Sequence, residues 1–374
     1  MSDQGGLVAA PAWSGADQPV QKLEYDGRIG SLYGIFIKNI LLGLITLGIY
    51  RFWGKTNLRR YVWSHVSLQG QRFEYTGTGG ELFIGFLIVF VFYILIFVAL
   101  AIGVAVFGEG VARFSQFVLA ILIFYLVFVA QYAAQNYRLT RTLWSGIRGG
   151  MTGSAWKYGF KGLLLSILNV LTLNLAVPWT TARLIEDRFN HSYFGNAKAT
   201  LQFSAKPLYP SFLFGFVASV VGLGVLVFVL WTIAATSGIF DGVPDDLASE
   251  RAQGTLFLLI LVGYFAAAFI LIFAFAPYVA AQFREIARNL QLAELRFSSE
   301  VTAGRYIGLW LGNMLWLVLT LGLGLPVVIQ RSARFFANRI EIHGRVDAAR
   351  LQQTTLDRPR FGEGLLEAFD PGFF

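Results

Sequence analysis

Three sets of polar residues recur along an otherwise apolar chain, and they are the residues best able to do chemistry. The first set pairs asparagine with threonine: Asn39 and Thr46, Asn169 and Thr172, Asn313 and Thr320. Each pair sits at a helix-breaking point, Thr46-Leu47-Gly48, Thr172-Leu173-Asn174 or Thr320-Leu321-Gly322, the last with Pro326 just beyond. Broken helices in a membrane free backbone dipoles, which bind solutes or ions where several converge. A pore or junction site is therefore one reading; helices joined by side-chain hydrogen bonds is the other. The second set is basic: Arg51, Lys55, Arg59 and Arg60, then Arg183 and Arg188, then Arg331 and Arg334. Basic clusters beside a bilayer attract anionic headgroups at about 1 kcal/mol per residue. They also mark topology and then need bind nothing. The third set is His65, His191 and His343, the only histidines. One follows each breaking point, so three imidazoles could meet on a metal. No cysteine or carboxylate pattern supports them, and no metal or other cofactor is expected.

Enzyme signatures are missing. The sequence has no HExxH, no GxSxG and no phosphate loop. GIRGGMTG at 146–153 is glycine-rich but lacks the Lys-Ser/Thr of a phosphate loop and reads as a turn. There is no cysteine, hence no disulfide, thiolate ligand or thiol nucleophile. The net charge of +8 is read as topological, not as a nucleic-acid signal. The expectation is a non-enzymatic protein.

What must position these residues is membrane-embedded. The chain has 374 residues, 56% hydrophobic and 14% charged, against roughly a quarter charged in a soluble domain. Its mean hydropathy is +0.59. Four charge-free apolar stretches run over 82–107, 114–136, 211–235 and 255–282. Each is long enough to cross about 30 Å of hydrocarbon. They read as two helical hairpins, about 82–137 and 210–282. Their tips are poor in Lys and Arg, and the second is acidic (Asp241, Asp245, Asp246, Glu250). The connections outside the hairpins are basic, which puts those connections and both termini in the cytoplasm and the tips outside.

Internal repeats fill the rest. Without a gap, Gly30, Gly34, Asn39, Thr46, Gly48, Arg60 and Gly70 fall on Gly304, Gly308, Asn313, Thr320, Gly322, Arg334 and Gly344. A third copy brings Thr172, Pro178 and Arg183 onto Thr320, Pro326 and Arg331. The copies span about 30–70, 156–196 and 304–344. Basic segments flank them on both sides, so each copy is expected to enter the membrane, turn at its breaking point and return. A plain seven-helix protein is the alternative. The fold class expected is an all-α polytopic membrane protein, with two crossing hairpins, three related re-entrant repeats about a pseudo-threefold centre, and short extended segments on the cytoplasmic face. Residues 24–345 form one membrane domain. Residues 1–23, which read as a polar tail and not a signal peptide, and 346–374 are expected to be disordered tails.

The string NILLGLITLGIYRFWGK from Asn39, the following RRY and GQRFEY, and YRLTRTLWSGIRGGM from Tyr137 resemble the YjgN-like bacterial inner-membrane proteins. The resemblance covers residues 24–345. It implies a bacterial cytoplasmic-membrane location and no activity, the family being one of unknown function. The function expected is channel- or transporter-like, or lipid-interacting, at the junction of the three repeats. A membrane scaffold or adaptor of an envelope or quality-control complex is the second reading. Expected partners are the bilayer, anionic lipids, and a protein held through the cytoplasmic face or the tails, with no nucleic acid.

Overall fold

The computed structural model describes residues 19–236, 246–345 and 351–356. The acidic connection 237–245 and, of the expected tails 1–23 and 346–374, residues 1–18, 346–350 and 357–374 lie outside the described residues.

Among the described residues, ten α-helices are arranged as five consecutive hairpins. Three hairpins are short: α1 (Ile29–Ile45) with α2 (Arg51–Ser64), α5 (Ala155–Leu171) with α6 (Val177–Asn190), and α9 (Ala303–Leu319) with α10 (Leu325–Ala337). Two are long: α3 (Gly79–Phe107) with α4 (Glu109–Arg141), and α7 (Tyr209–Thr236) with α8 (Asp246–Asn289). The four long helices are long and apolar enough to cross a membrane, over Gly79–Val106, Arg113–Arg141, Lys206–Thr236 and Gln253–Asn289. None of the most apolar window of Gly79–Val106 is buried within the protein. A face that apolar and that exposed requires lipid as its solvent.

The all-α expectation is corrected. The polar segments after each helical hairpin do not stay separate loops. They pair into one antiparallel sheet of eleven strands among the described residues. β1 (Val20–Lys22) and β2 (Glu24–Tyr25) precede α1. The hairpins β3–β4 (Val66–Leu68, Gln71–Tyr75), β5–β6 (Thr142–Trp144, Ile147–Met151), β7–β8 (Ser192–Phe194, Ala197–Leu201) and β9–β10 (Leu290–Leu292, Leu295–Ser299) follow α2, α4, α6 and α8. β11 (Ile340–His343) follows α10. The order is β1-β11-β10-β9-β8-β7-β6-β5-β4-β3-β2. The strands at its two ends, β1 and β2, are separated only by Leu23, so the chain itself bridges the edges into a nearly closed barrel. Closure of this kind removes the exposed edges that invite other strands. Two of the tight turns, Gln69-Gly70 and Ser145-Gly146, have both residues at positive φ, the geometry whose twist matches paired strands.

Leu68, Trp144, Leu295 and Ile342 fill the barrel, with Leu23, Phe73, Phe194, Phe297 and Leu351 packed on them. The segment 351–356 is not free. Arg148 donates through Nη2 to the carbonyls of Thr354 (3.2 Å) and Leu356 (2.6 Å), and Gln353 Nε2 donates to the Gly146 carbonyl (3.1 Å). Further cores lie where helix bases meet the sheet: Leu32, Leu58, Val62, Leu325 and Ile329 join α1, α2 and α10, while Leu201, Phe212 and Tyr278 join β8, α7 and α8. At the base of the first long hairpin, Glu81 accepts from Tyr137 Oη (2.6 Å) and from Arg141 Nη2 (2.5 Å).

A second correction concerns symmetry. The helical hairpins follow the sheet around in chain order, and α10 packs on α1. One long hairpin separates the first short hairpin from the second, and another separates the second from the third. The third and first are neighbours. Three short units in a ring of five do not stand about a threefold axis.

Candidate anion-binding groove

The asparagine and threonine pairs each serve their own hairpin. Thr46 Oγ1 donates to the Leu42 carbonyl (2.7 Å) and accepts from the Tyr50 N–H (2.9 Å). Thr172 does the same between Leu168 (2.8 Å) and Ala176 (3.2 Å), and Thr320 between Trp316 (2.5 Å) and Gly324 (2.6 Å). One hydroxyl thus links the last turn of the rising helix to the first turn of the returning one. The next two residues adopt the same left-handed turn in each: Leu47 and Gly48, Leu173 and Asn174, Leu321 and Gly322, all at positive φ. The amide of Gly48, Asn174 or Gly322 closes it on the carbonyl five residues back (2.7, 2.6 and 2.7 Å), a six-to-one helix stop. The asparagines bind across each hairpin. Asn39 Nδ2 donates to the Gly54 carbonyl (3.1 Å), Asn169 Oδ1 accepts from Thr180 Oγ1 (2.9 Å), and Asn313 Nδ2 donates to Ser332 Oγ (3.1 Å). The structure brings none of the three pairs into hydrogen-bond contact with another. At the tips, Leu47, Leu173 and Leu321 are 94%, 76% and 91% exposed.

The histidines are equally local. His65 Nδ1 meets the Tyr61 carbonyl (2.7 Å) and His191 Nδ1 the Asp187 carbonyl (2.7 Å), each closing the end of its helix, while His343 Nε2 meets Ser298 Oγ (3.0 Å) in the barrel. Among the described residues no three His, Asp or Glu side chains gather as a metal site.

The basic residues divide sharply. Lys55 and Arg59 are buried, so they are not available to headgroups as the sequence suggested. Arg59 Nη1 donates to Tyr75 Oη (3.4 Å) and Arg60 Nη2 to the Gly77 carbonyl (3.2 Å), which ties α2 to β4 and the following loop. Arg51 lies over the rings of Phe52 (4.8 Å) and Phe86 (5.1 Å). Arg183 pairs with Glu186 (2.9 Å), and Arg188 is half-buried.

Arg331 and Arg334 are different. They stand one turn apart on α10 and share a groove of about 370 Å³ with Arg305 at the start of α9 and with Arg339. Gly308, Phe335 and Asn338 complete much of the wall, and no carboxylate lines it. The guanidinium groups are held in place. Arg331 Nε donates to Asn313 Oδ1 (3.2 Å), so the predicted junction asparagine orients an arginine. A Cβ on Gly312 would lie 2.2 Å from Arg331 Nη2, so only glycine lets that group lie against α9. Arg339 sits over the Phe335 ring at 4.7 Å. Arg305 donates to the Glu300 carbonyl (3.1 Å), and the Glu300 carboxylate is 3.6 Å away, with both side chains about half exposed or more. Such an exposed pair is worth little. Of the four guanidinium groups around the groove, Arg305 has only this exposed partner, and no ion pair is seen for Arg331, Arg334 or Arg339 among the described residues. The four groups fit a phosphate, which accepts the paired donors of arginine.

The middle hairpin shows what a neutralised version looks like. With Thr172 set on Thr320, Lys157 takes the place of Arg305, Glu186 that of Arg334, Asp187 that of Phe335 and His191 that of Arg339. A pocket of about 400 Å³ lies there too, lined by Lys157, Lys161, Asp187 and His191. Its Lys161 pairs with Asp187 at 2.8 Å.

Sequence reading found half of the groove. Arg305 and Arg339 are, in the sequence, two among the many basic residues outside the hairpins, which mark topology alone. The detectable signal was the repeat alignment, in which the acidic pair Glu186-Asp187 becomes Arg334-Phe335.

Comparison with known proteins adds the family. A model described as "Bacterial protein of unknown function (DUF898)" matches residues 20–368. The inner membrane protein YjgN of Salmonella typhimurium strain LT2 is 26% identical over 393 aligned positions, which cover 92% of this chain and 94% of that protein. The inner membrane protein YjgN of Escherichia coli K12 is 28% identical over 155 positions, 40% of this chain and 37% of that protein. No solved structure matches. With four apolar helices and relatives named for the inner membrane, the chain is a membrane protein, and it belongs to the bacterial DUF898 family.

Proposed function

We propose that this protein is a non-enzymatic, multi-pass inner-membrane protein that binds the headgroup of an anionic phospholipid in the groove between α9 and α10. The observation that carries this is the set Arg305, Arg331, Arg334 and Arg339 around one groove without a lining carboxylate. In this reading the long hairpins cross the bilayer. The short hairpins, as internal repeats of one another, enter and return. The lengths support that: α2, α6 and α10 have 14, 14 and 13 residues. At about 1.5 Å per residue they fall short of a 30 Å core. All five hairpins leave from and return to the barrel, and the basic residues at their bases support a cytoplasmic barrel and cytoplasmic termini.

The test is titration of the detergent-solubilised protein with dioctanoyl phosphatidylglycerol, with dioctanoyl phosphatidylcholine as the neutral control. Removing two charges, as in Arg331→Gln with Arg334→Gln, should weaken the anionic lipid by about 2 kcal/mol, roughly 30-fold. Gly312→Leu should weaken it too, by displacing Arg331 with every charge retained. Equal affinity for the two lipids in the native protein would refute the reading. So would a tighter response to free inorganic phosphate than to the lipid.

A further inference from the structure

Across α10 from the arginine groove lies a chamber of about 550 Å³. Its walls come from Val62 and Trp63 of α2, Ala333 and Phe336 of α10, and Leu23 and Phe73 of the sheet. At 3.6 residues per turn, Ala333 and Phe336 face away from Arg331, Arg334 and Phe335, so one helix separates two sites.

The chamber lies between two packed cores. Val62 belongs to the core joining α1, α2 and α10, while Leu23 and Phe73 pack in the barrel core. The chamber is a half-open cleft, and its apolar walls, left without a partner, forgo the dispersion contacts that packed interiors make. The polar groups of this wall are already engaged. Trp63 Nε1 donates to Thr142 Oγ1 (3.0 Å), the Thr142 hydroxyl donates to the Arg138 carbonyl (2.9 Å), and Ser332 Oγ accepts from Asn313 Nδ2 (3.1 Å). No Asp, Glu, Lys, Arg or His lines the chamber. Water held against such walls finds few polar partners, so the cleft favours an apolar guest. The size falls in the range of ligand sites.

We propose that this chamber binds one hydrocarbon chain of a membrane lipid. The bilayer is the source argued by position. The helices that line it at their barrel ends, α2 and α10, run at their other ends to tips whose Leu47 and Leu321 are more than nine-tenths exposed, a surface suited to lipid, so the bilayer is the nearest reservoir of hydrocarbon chains. The inference rests on the membrane setting but not on the arginine groove.

The experiment uses the full chain in vesicles with a palmitic acid bearing a diazirine in its distal half. Irradiation should leave adducts on peptides containing Val62–Trp63 and Ala333–Ala337, as well as on the apolar spans. Ala333→Phe, which fills the chamber, should lower the chamber adducts several-fold and leave those on residues 79–106 unchanged. If that variant does not fold, quenching by 9,10-dibromostearate is compared between native and Trp63→Phe protein, and a quenched Trp63 component is expected. Chamber peptides left unlabelled while the spans label would overturn the proposal. Labelling that persists in a folded, filled variant would do so too, as would an unquenched Trp63. The groove variant Arg331→Gln/Arg334→Gln should keep its chamber adducts. Headgroup binding lost with those adducts intact refutes neither site, whereas adducts lost with headgroup binding intact would overturn the chamber alone.

Discussion

The threonine at each hairpin tip admits a quantitative test of structural against solute-binding roles. Thr46→Val removes a hydroxyl that donates to the Leu42 carbonyl and accepts from the Tyr50 N–H. The two losses are unequal. The Leu42 carbonyl keeps another donor, the Thr46 amide at 3.0 Å. The Tyr50 amide, at the start of α2, loses its acceptor. The net loss is one unsatisfied N–H in an apolar setting, which costs about 1–3 kcal/mol. That corresponds to roughly 5- to 150-fold in a local opening equilibrium. Hydrogen exchange in a detergent micelle reads it directly: amides at the first turn of α2 should exchange faster by that factor in Thr46→Val. Thr46→Ser, which keeps the hydroxyl, should exchange like the native protein. Thr172→Val and Thr320→Val should act likewise on α6 and α10, each without affecting the other two hairpins, because no hydrogen bond joins the three tips. Unchanged exchange in all three valine variants would refute the linking role. Coupled changes at distant tips would refute the independence of the hairpins and revive a shared junction.

The base of the first long hairpin should be less tolerant. Arg141 is buried against Glu81, and Arg141→Gln should destabilise the protein by about 1.5–3 kcal/mol by removing the guanidinium from a carboxylate that keeps Tyr137 Oη as a donor. A thermal-unfolding midpoint within a degree of the native value would contradict this. Acid should loosen the barrel seam. Hydrogen bonding from Arg72 holds the Asp26 carboxyl below its ordinary 3.8, and hydrogen bonding from Lys22 holds Glu341 below its ordinary 4.5. Depressed carboxylates stabilise the fold above their unfolded values, and that contribution disappears as pH falls through the folded ones. Exchange protection of β1 and β11 should therefore hold from neutral pH down to those ordinary values and fall only below them. Lys22→Gln should flatten the Glu341 part of that fall. A loss of protection between pH 7 and 5 would exclude these carboxylates as its cause.

Much of the membrane part was legible in the residues. The four spans followed from run length and lack of charge, because hydrophobicity of that length has one cheap solution in water and lipid. The three tips were legible as breaking points, since Thr-Leu-Gly and Thr-Leu-Asn end a helix by local backbone rules. Their role was not. Whether Thr46 meets Thr172 depends on where whole hairpins stand, and local sequence carries no such information.

The barrel and the groove show the same division. The polar segments after each hairpin were recognisable as extended, but strands of two to five residues give almost no period-2 signal. Pairing joins residues as distant as Lys22 and Glu341, so only the folded chain decides that the polar segments make one nearly closed sheet instead of separate loops. Sequence determined that Arg331 and Arg334 share a helix face. The hairpin then brought Arg305 to them and laid Arg331 against Gly312, while burial removed Lys55 and Arg59 from the surface. The charge of a residue is fixed by its type; whether that charge is spent inside the protein or left for a ligand depends on its neighbours, and the tertiary structure chooses those.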